Sequence, residues 1–217
     1  GRVNLIGEHV DYTQGIVLPF AIDPRAAIAI GPGIDHRSVF VAEDLAISVE
    51  YSGAPISVAD PSPDHRFANH LLGVIHASGG TSERPLNLLV TSDIPIGAGL
   101  SSSAAVEVSL GAALAAFMGR PADPHTLAKH AQTAEHDFVG TPCGIMDMLI
   151  SAAGIAGSAL RIDCRDLRLT PVAMPSPKEA VVLIVDSGVT HRLSDGGYAD
   201  RRDSCERVQS MLAGSLR

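Results

Sequence analysis

Pro95-Ile96-Gly97-Ala98-Gly99-Leu100-Ser101-Ser102-Ser103-Ala104-Ala105 is the stretch on which the fold turns. A strand-like apolar run, Leu86 to Thr91, leads into it. An Ala/Leu/Val pattern leaves it and predicts a helix to about Met118. A strand, a glycine loop and a hydroxyl-rich helix start together make the geometry of an anion site. Glycines let backbone N–H groups approach a phosphate closely. The helix N-terminus adds unpaired donors and the positive end of the macrodipole. Three serines add hydroxyls that suit phosphate oxygens or a hard metal ion, more than the single side chain a cap needs. A serine-capped turn without a ligand is the alternative. A Walker loop is excluded because no lysine follows, and a dinucleotide loop because Ser102 stands where a third glycine is needed.

The rest of the chain sets the frame. Its 217 residues suit one large or two small domains. Only 4% are aromatic, so Ala, Val, Leu and Ile must build the core. A net charge of −8 argues against a nucleic-acid surface. Cys143, Cys164 and Cys205 are odd in number, lack zinc spacing and suggest no disulfide framework, which fits a reducing cytoplasm. No apolar run reaches the roughly 18 residues of a membrane span. The helix after the serines is long enough but carries Glu107. Gly1-Arg2-Val3 has neither an initiator Met nor a signal peptide, and the chain is expected to be a fragment.

Strands are expected at Val3–Ile6, Val17–Ile22, Ala26–Ile30, Ser38–Ala42 and Ile47–Tyr51, and then at Leu86–Thr91. Helices are expected at Arg66–Ala77, after the serines, at His125–Phe138 and at Cys143–Ala153. Further strands fall at Ala159–Asp163, Leu167–Val172 and Ala180–Asp186, and Gly196 or Gly197 opens a last helix. Strands and helices come in blocks, which predicts an α+β fold.

Three clusters carry candidate chemistry. Arg2, Asn4, Glu8, His9, Asp11 and Tyr12 offer what polyhydroxyl recognition needs, or form an exposed polar turn. Glu135-His136-Asp137 precedes Gly144-Ile145-Met146-Asp147. There Glu135 is either a solvated helix residue or a second ligand for a Mg²⁺ held by a serine. Asp147, among apolar neighbours, is either a structural group near a helix start or a general base. His191, Tyr198, Arg201 and Arg202 form the third cluster. Tyr198 either lines a pocket or packs a helix, and the arginines pair with acids or meet phosphate.

Taken together, these stretches resemble the galactokinases, a branch of the GHMP small-molecule kinases. The resemblance is carried by Gly1 to Tyr12, Val17 to Ile22, Pro95 to Ala105, Cys143 to Asp147, Ile162 to Arg165 and His191 to Glu206. It implies an N-terminal GHMP domain, a mixed sheet with helices, over residues 1–174, and the beginning of a C-terminal α+β domain over 175–217. It implies ATP-dependent phosphorylation of galactose at the anomeric hydroxyl, with Mg²⁺. Asp147 would act as base and Arg2 would stabilise the developing alkoxide. Glu8, His9, Asp11, Gly144 and Tyr198 would hold the sugar. Pro95, Gly97, Ala98, Gly99, Leu100, Ser101, Ser102 and Ser103 would wrap the triphosphate, with Ser103 and Glu135 nearest the metal. The intact protein would be a cytoplasmic monomer with no nucleic-acid or membrane partner. A kinase for N-acetylgalactosamine, arabinose or galacturonate, or a galactose- and ATP-binding regulator, are the alternatives. Met148 stands where the family usually has Gln, and the family's glycine-rich third motif is absent. The 217-residue piece is therefore expected to be inactive alone.

Overall fold

Alternation decides the first sheet. Along Arg37–Ala42 every second residue (Ser38, Phe40, Ala42) is buried, and along Ile47–Ser52 Val49 and Tyr51 are. That period of two turns one face of each strand to the core. The computed structural model describes residues 1–55, 58–79, 84–186, 188 and 197–212, with the backbone alone at 197–199 and 212. In chain order its strands and helices are β1 (Arg2–Asn4), β2 (Ile16–Val17), β3 (Pro19–Ala21), β4 (Ala26–Pro32), β5 (Arg37–Ala42), β6 (Ile47–Ser52), α1 (Arg66–Ala77), β7 (Leu86–Ser92), α2 (Ser102–Phe117), α3 (Pro124–Thr133), α4 (Met146–Ala153), β8 (Ser158–Asp163), β9 (Arg168–Ala173) and α5 (Gly197–Leu212). No described helix is long and apolar enough to cross a membrane.

Three sheets result. β4-β7-β5-β6 form the largest, antiparallel except for the β5/β7 pair. β2-β8-β9 form the second and β1-β3 a two-stranded ribbon. α2 lies between two cores. Leu110 and Leu114 join Phe40, Leu71, Leu72 and Leu88 on the large sheet. Ala104 and Val108 join Leu149, Ile150, Leu160 and Ile162 on the smaller one. A helix buried on opposite faces must be apolar nearly all round, and the run after the serines is. Glu107 in its middle is the charged exception, fully buried.

Several expected boundaries move. Val17–Ile22 divides at Leu18 into β2 and β3, which serve different sheets. His125–Phe138 is α3 followed by a wider π-helical turn, Ala134–Val139, closed by Gly140 at φ 80°. The helix expected from Cys143 starts only at Met146. Ala180–Asp186 forms no strand among the described residues; Val181, Leu183 and Val185 stand exposed, because an apolar run makes a strand only when a partner offers it hydrogen bonds.

The connection from β6 to α1 is tied by one carboxylate. Asp60 accepts hydrogen bonds from Ser62 N (2.9 Å) and the Tyr51 hydroxyl (3.0 Å), and His65 Nδ1 lies 2.8 Å away. Its own N–H donates to Asn69 Oδ1 at 2.6 Å. The Ser62 N–H first, then His65, hold its carboxyl below the usual carboxylate range. Asp60→Asn is expected to cost about 1–3 kcal/mol in urea unfolding at neutral pH. A depressed folded pKa contributes stability above the unfolded value and loses it as pH falls through the folded one. The two proteins should therefore begin to converge in stability as pH falls below about 3.9 and meet only below the folded pKa. A difference independent of pH would remove the carboxylate from this role.

Candidate active site

β1, the glycine loop and the start of α4 meet at one ion pair. Arg2 Nε donates to Asp147 Oδ1 at 2.6 Å and Nη2 donates to Oδ2 at 2.7 Å. This is the fork in which a guanidinium matches a carboxylate best. The third guanidinium nitrogen, Nη1, donates to the Gly99 carbonyl at 2.6 Å, and Arg2 N donates to the Leu100 carbonyl at 3.1 Å. Ser101 Oγ donates to Asp147 Oδ2 at 2.5 Å. The side chains of Arg2 and Asp147 remain 16% and 29% exposed, enough for a ligand to reach them. Arg2 lines an open cleft of about 320 Å³, together with Asn4, Glu8, Gly99, Leu100 and the apolar Val182–Ile184 run. A larger groove, about 510 Å³, lies on the sheet at Ala29, Val39, Val41 and Leu89 and is lined by no ionisable residue.

The loop turns through two glycines and a serine in the left-handed region. Gly97 and Gly99 take φ of 76° and 74°, a region that suits glycine. Ser101 precedes α2 at φ 58° and makes no side-chain cap. The Ser101 hydroxyl does not cap the helix but donates to Asp147. No acidic residue occupies the first turn of α2. Pro95, Ile96 and Ala98 complete the turn.

Asp11 sits beside the same helix start. Its Oδ2 accepts from Met146 N at 3.4 Å. Burial first, and then the negative charge of Asp147, push its carboxyl above the usual range. Gly144 packs against it so tightly that a Cβ there would fall 1.7 Å from Oδ2. Glu8 accepts from Asn4 Nδ2 at 2.6 Å on the cleft wall. His9, at φ 57°, turns its Nδ1 to the Tyr12 hydroxyl at 2.9 Å, so the segment is a tight turn and not extended. Arg202 pairs with Glu206 (2.7 Å), donates to the Pro142 carbonyl (2.6 Å) and lies 5.5 Å over the Tyr12 ring. Of the two expectations for the arginines, Arg202 meets the acid. Tyr198 stands in the first turn of α5, its side chain outside the described residues, and His191 lies outside them too.

Glu135 is buried in the π-helical turn, not on a solvated helix face. Its neighbours are His70 of α1 and Glu107 of α2, neither of which the motifs singled out as site residues. His70 Nδ1 lies 2.7 Å from Glu107 Oε1 and 4.0 Å from Glu135 Oε1. Burial drives the Glu107 carboxyl up to about 8, against the pull of His70. Burial opposes a charged His70, but the Glu107 hydrogen bond and charge outweigh it and raise its pKa. One signal for this cluster was available: a lone carboxylate in an otherwise apolar helix.

Residues 66–155 match the model of the GHMP kinases N terminal domain, and residues 1–32 match the galactokinase galactose-binding signature. The galactokinase of Haemophilus influenzae (strain PittEE) is 41% identical over 211 residues, covering 96% of this chain and 54% of that protein. That of Chloroflexus aurantiacus is 42% identical over 220 residues, covering 100% and 55%. The chain thus spans about half the length of the curated relatives it matches. Lactococcus lactis galactokinase complexed with galactose shares the fold, with a TM-score of 0.77, 24% identity, and 97% of this chain and 56% of that one covered. Methanococcus jannaschii mevalonate kinase does so at 0.64 and 19%, covering 80% and 54%.

Proposed function

The chain belongs to the galactokinase branch of the GHMP kinases, and from that premise we propose that its protein transfers the γ-phosphoryl group of ATP to the anomeric hydroxyl of D-galactose. The observation that carries this reading is the Arg2–Asp147–Ser101 node at the edge of the glycine loop. It joins a carboxylate and the end of the glycine loop through a guanidinium that lines the cleft.

Residues 1–174 form the GHMP N-terminal domain in this reading, and 175–217 open a second domain. Galactose lies against Glu8, His9, Asp11 and Gly144, with Tyr198 approaching from α5. The carboxylates accept sugar hydroxyl protons in hydrogen bonds, which fixes the anomeric oxygen toward Asp147. Asp147 takes the proton from that hydroxyl as the oxygen bonds to phosphorus. The bond from the γ-phosphorus to its bridging oxygen breaks, leaving ADP and galactose 1-phosphate. Arg2 opposes the charge growing on the attacking oxygen. Pro95 to Ser103 cradle the triphosphate through backbone N–H groups and the Ser102 and Ser103 hydroxyls. Phosphoryl transfer is mostly such positioning and charge neutralisation.

The donor set fits Mg²⁺. Glu135 Oε2 is buried with no hydrogen-bond partner among the described residues, and a hard cation favours a carboxylate plus hydroxyl and phosphate oxygens. Glu135 and Ser103 would hold it. When bound, Mg²⁺ neutralises phosphate charge.

A coupled ADP-release assay of the full-length protein against galactose, N-acetylgalactosamine, arabinose and galacturonate tests the reading. Galactose is expected to give the highest kcat/KM. A larger value for another of these sugars would reassign the substrate, and no turnover with any would overturn the kinase assignment.

A further inference from the structure

We propose that His70, Glu107 and Glu135 form a three-ligand site for a borderline first-row divalent cation, Zn²⁺ or Mn²⁺, that needs neither nucleotide nor sugar. One ligand comes from each of three elements: α1, α2 and the π-helical turn. Their donor atoms lie within 4.8 Å of one another. An imidazole nitrogen with two carboxylates is a donor set for such metals, whereas Mg²⁺ prefers oxygen alone.

Two observations separate this cluster from an incidental group of acids. Glu107 and Glu135 side chains are 0% and 3% exposed, and Oε2 of each has no hydrogen-bond partner among the described residues. Buried polar atoms are nearly always paired, so two orphan carboxylate oxygens in one place mark a missing partner. Charge gives the same result. Among the described residues neither acid meets a lysine or an arginine, and one imidazolium offsets only one of two carboxylates. Two carboxyl groups buried together cannot both stay ionised without a counter-charge, and a divalent cation would take the place of the proton that otherwise supplies it. The His70 side chain is 24% exposed and is the part of the cluster nearest solvent.

The site is distinct from the phosphate loop. Glu107 lies four residues after Ser103, one helical turn deeper on the same face of α2. Glu135 alone is common to this site and to the Mg²⁺ reading. A cation here also links α1, α2 and the π-helical turn behind the loop, and so holds the base of α2 in place.

The test uses the purified full-length protein without substrates, titrated with Co²⁺ as probe and followed by visible absorption. Zn²⁺ is then measured in competition with a chromophoric chelator. About one equivalent is expected to bind and to resist a tenfold excess of Mg²⁺. His70→Gln and Glu107→Gln should each weaken binding by at least about tenfold while circular dichroism shows the fold intact. No Co²⁺ binding by the unmodified protein overturns the proposal, since the cluster then holds only a shared proton. So does a loss confined to Glu135→Gln, which would leave an oxygen-only site at the loop. Turnover is not the readout. Absent Co²⁺ binding leaves the kinase reading standing, and absent kinase activity leaves this one standing.

Discussion

Asp147→Asn is expected to reduce kcat by at least about 10³-fold while galactose affinity stays within a few-fold, the split expected when a base is lost without its pocket. Asparagine keeps the size of the side chain but cannot take a proton at the reacting oxygen. It also disturbs the fork. Both Asp147 oxygens now accept from Arg2, at 2.6 and 2.7 Å, and Oδ2 accepts from Ser101 as well. An amide offers one oxygen and turns its NH₂ toward a guanidinium that has no acceptor. Part of the loss therefore passes through Arg2, whose guanidinium loses half of its fork and keeps its contact with the Gly99 carbonyl. Asp147→Ala with added formate separates the two contributions. Partial rescue of turnover, with galactose binding measured by calorimetry unchanged, identifies a missing base. Turnover of Asp147→Asn within tenfold of the parent would remove Asp147 from that role. Arg2 would then be the first group to reconsider, since its contacts with Gly99 and Leu100 do not depend on the carboxylate.

What was legible in the sequence follows from which forces act locally. The Arg66–Ala77 helix is readable to its ends because one apolar face, with Leu71, Leu72 and Ile75, repeats at helical spacing. The start of α4 is not. Cys143 to Ile145 look helical, but Gly144 is drawn against Asp11, more than 130 residues earlier, and the helix forms only once that contact is passed. Nor does the Ala180–Asp186 run declare whether it has a strand partner. The ion pair between Arg2 and Asp147 spans 145 positions, and no spacing rule reaches that far. Only the resemblance to a family placed the two together. That resemblance also singled out Ile162-Asp163-Cys164-Arg165, whose visible work is structural. Arg165 grips the buried Asp163 at 2.9 and 2.8 Å, and Cys164 N donates to the Gly15 carbonyl. This ties the β8–β9 turn to the segment that carries Glu8 and Asp11. Glu107 and His70 escaped because each reads as ordinary by itself: one charge in a helix, one histidine beside an apolar face.

The second large effect is expected from Gly144→Ala, a change of one methyl group. Gly144 is not in the left-handed region, so its backbone would accept alanine without strain and the obstacle is space alone. The added carbon would lie 1.7 Å from Asp11 Oδ2 and 2.0 Å from its Cγ, distances no pair of unbonded atoms tolerates. Either Asp11 rotates away and surrenders its contact with Met146 N, or the segment before α4 shifts and carries Asp147 with it. Both responses damage the proposed site, the first through Asp11, its proposed sugar contact, and the second through Asp147, its proposed base. Galactose KM should rise at least about tenfold, because a misplacement of about 1 Å is enough to cost up to 10²-fold. Stability should fall by about 1–3 kcal/mol, the usual cost of overpacking. A double mutant decides whether the contact with Asp11 is the cause. In an Asp11→Ala background the methyl group has room, so Gly144→Ala should then cost almost nothing in urea unfolding. Sugar binding should not return, since Asp11 is itself a sugar contact in the proposed site. If stability fails to recover, the methyl group clashes elsewhere. If galactose binding does recover with Asp11 removed, Asp11 serves to position Gly144 and α4, and the sugar rests on Glu8 and His9 instead.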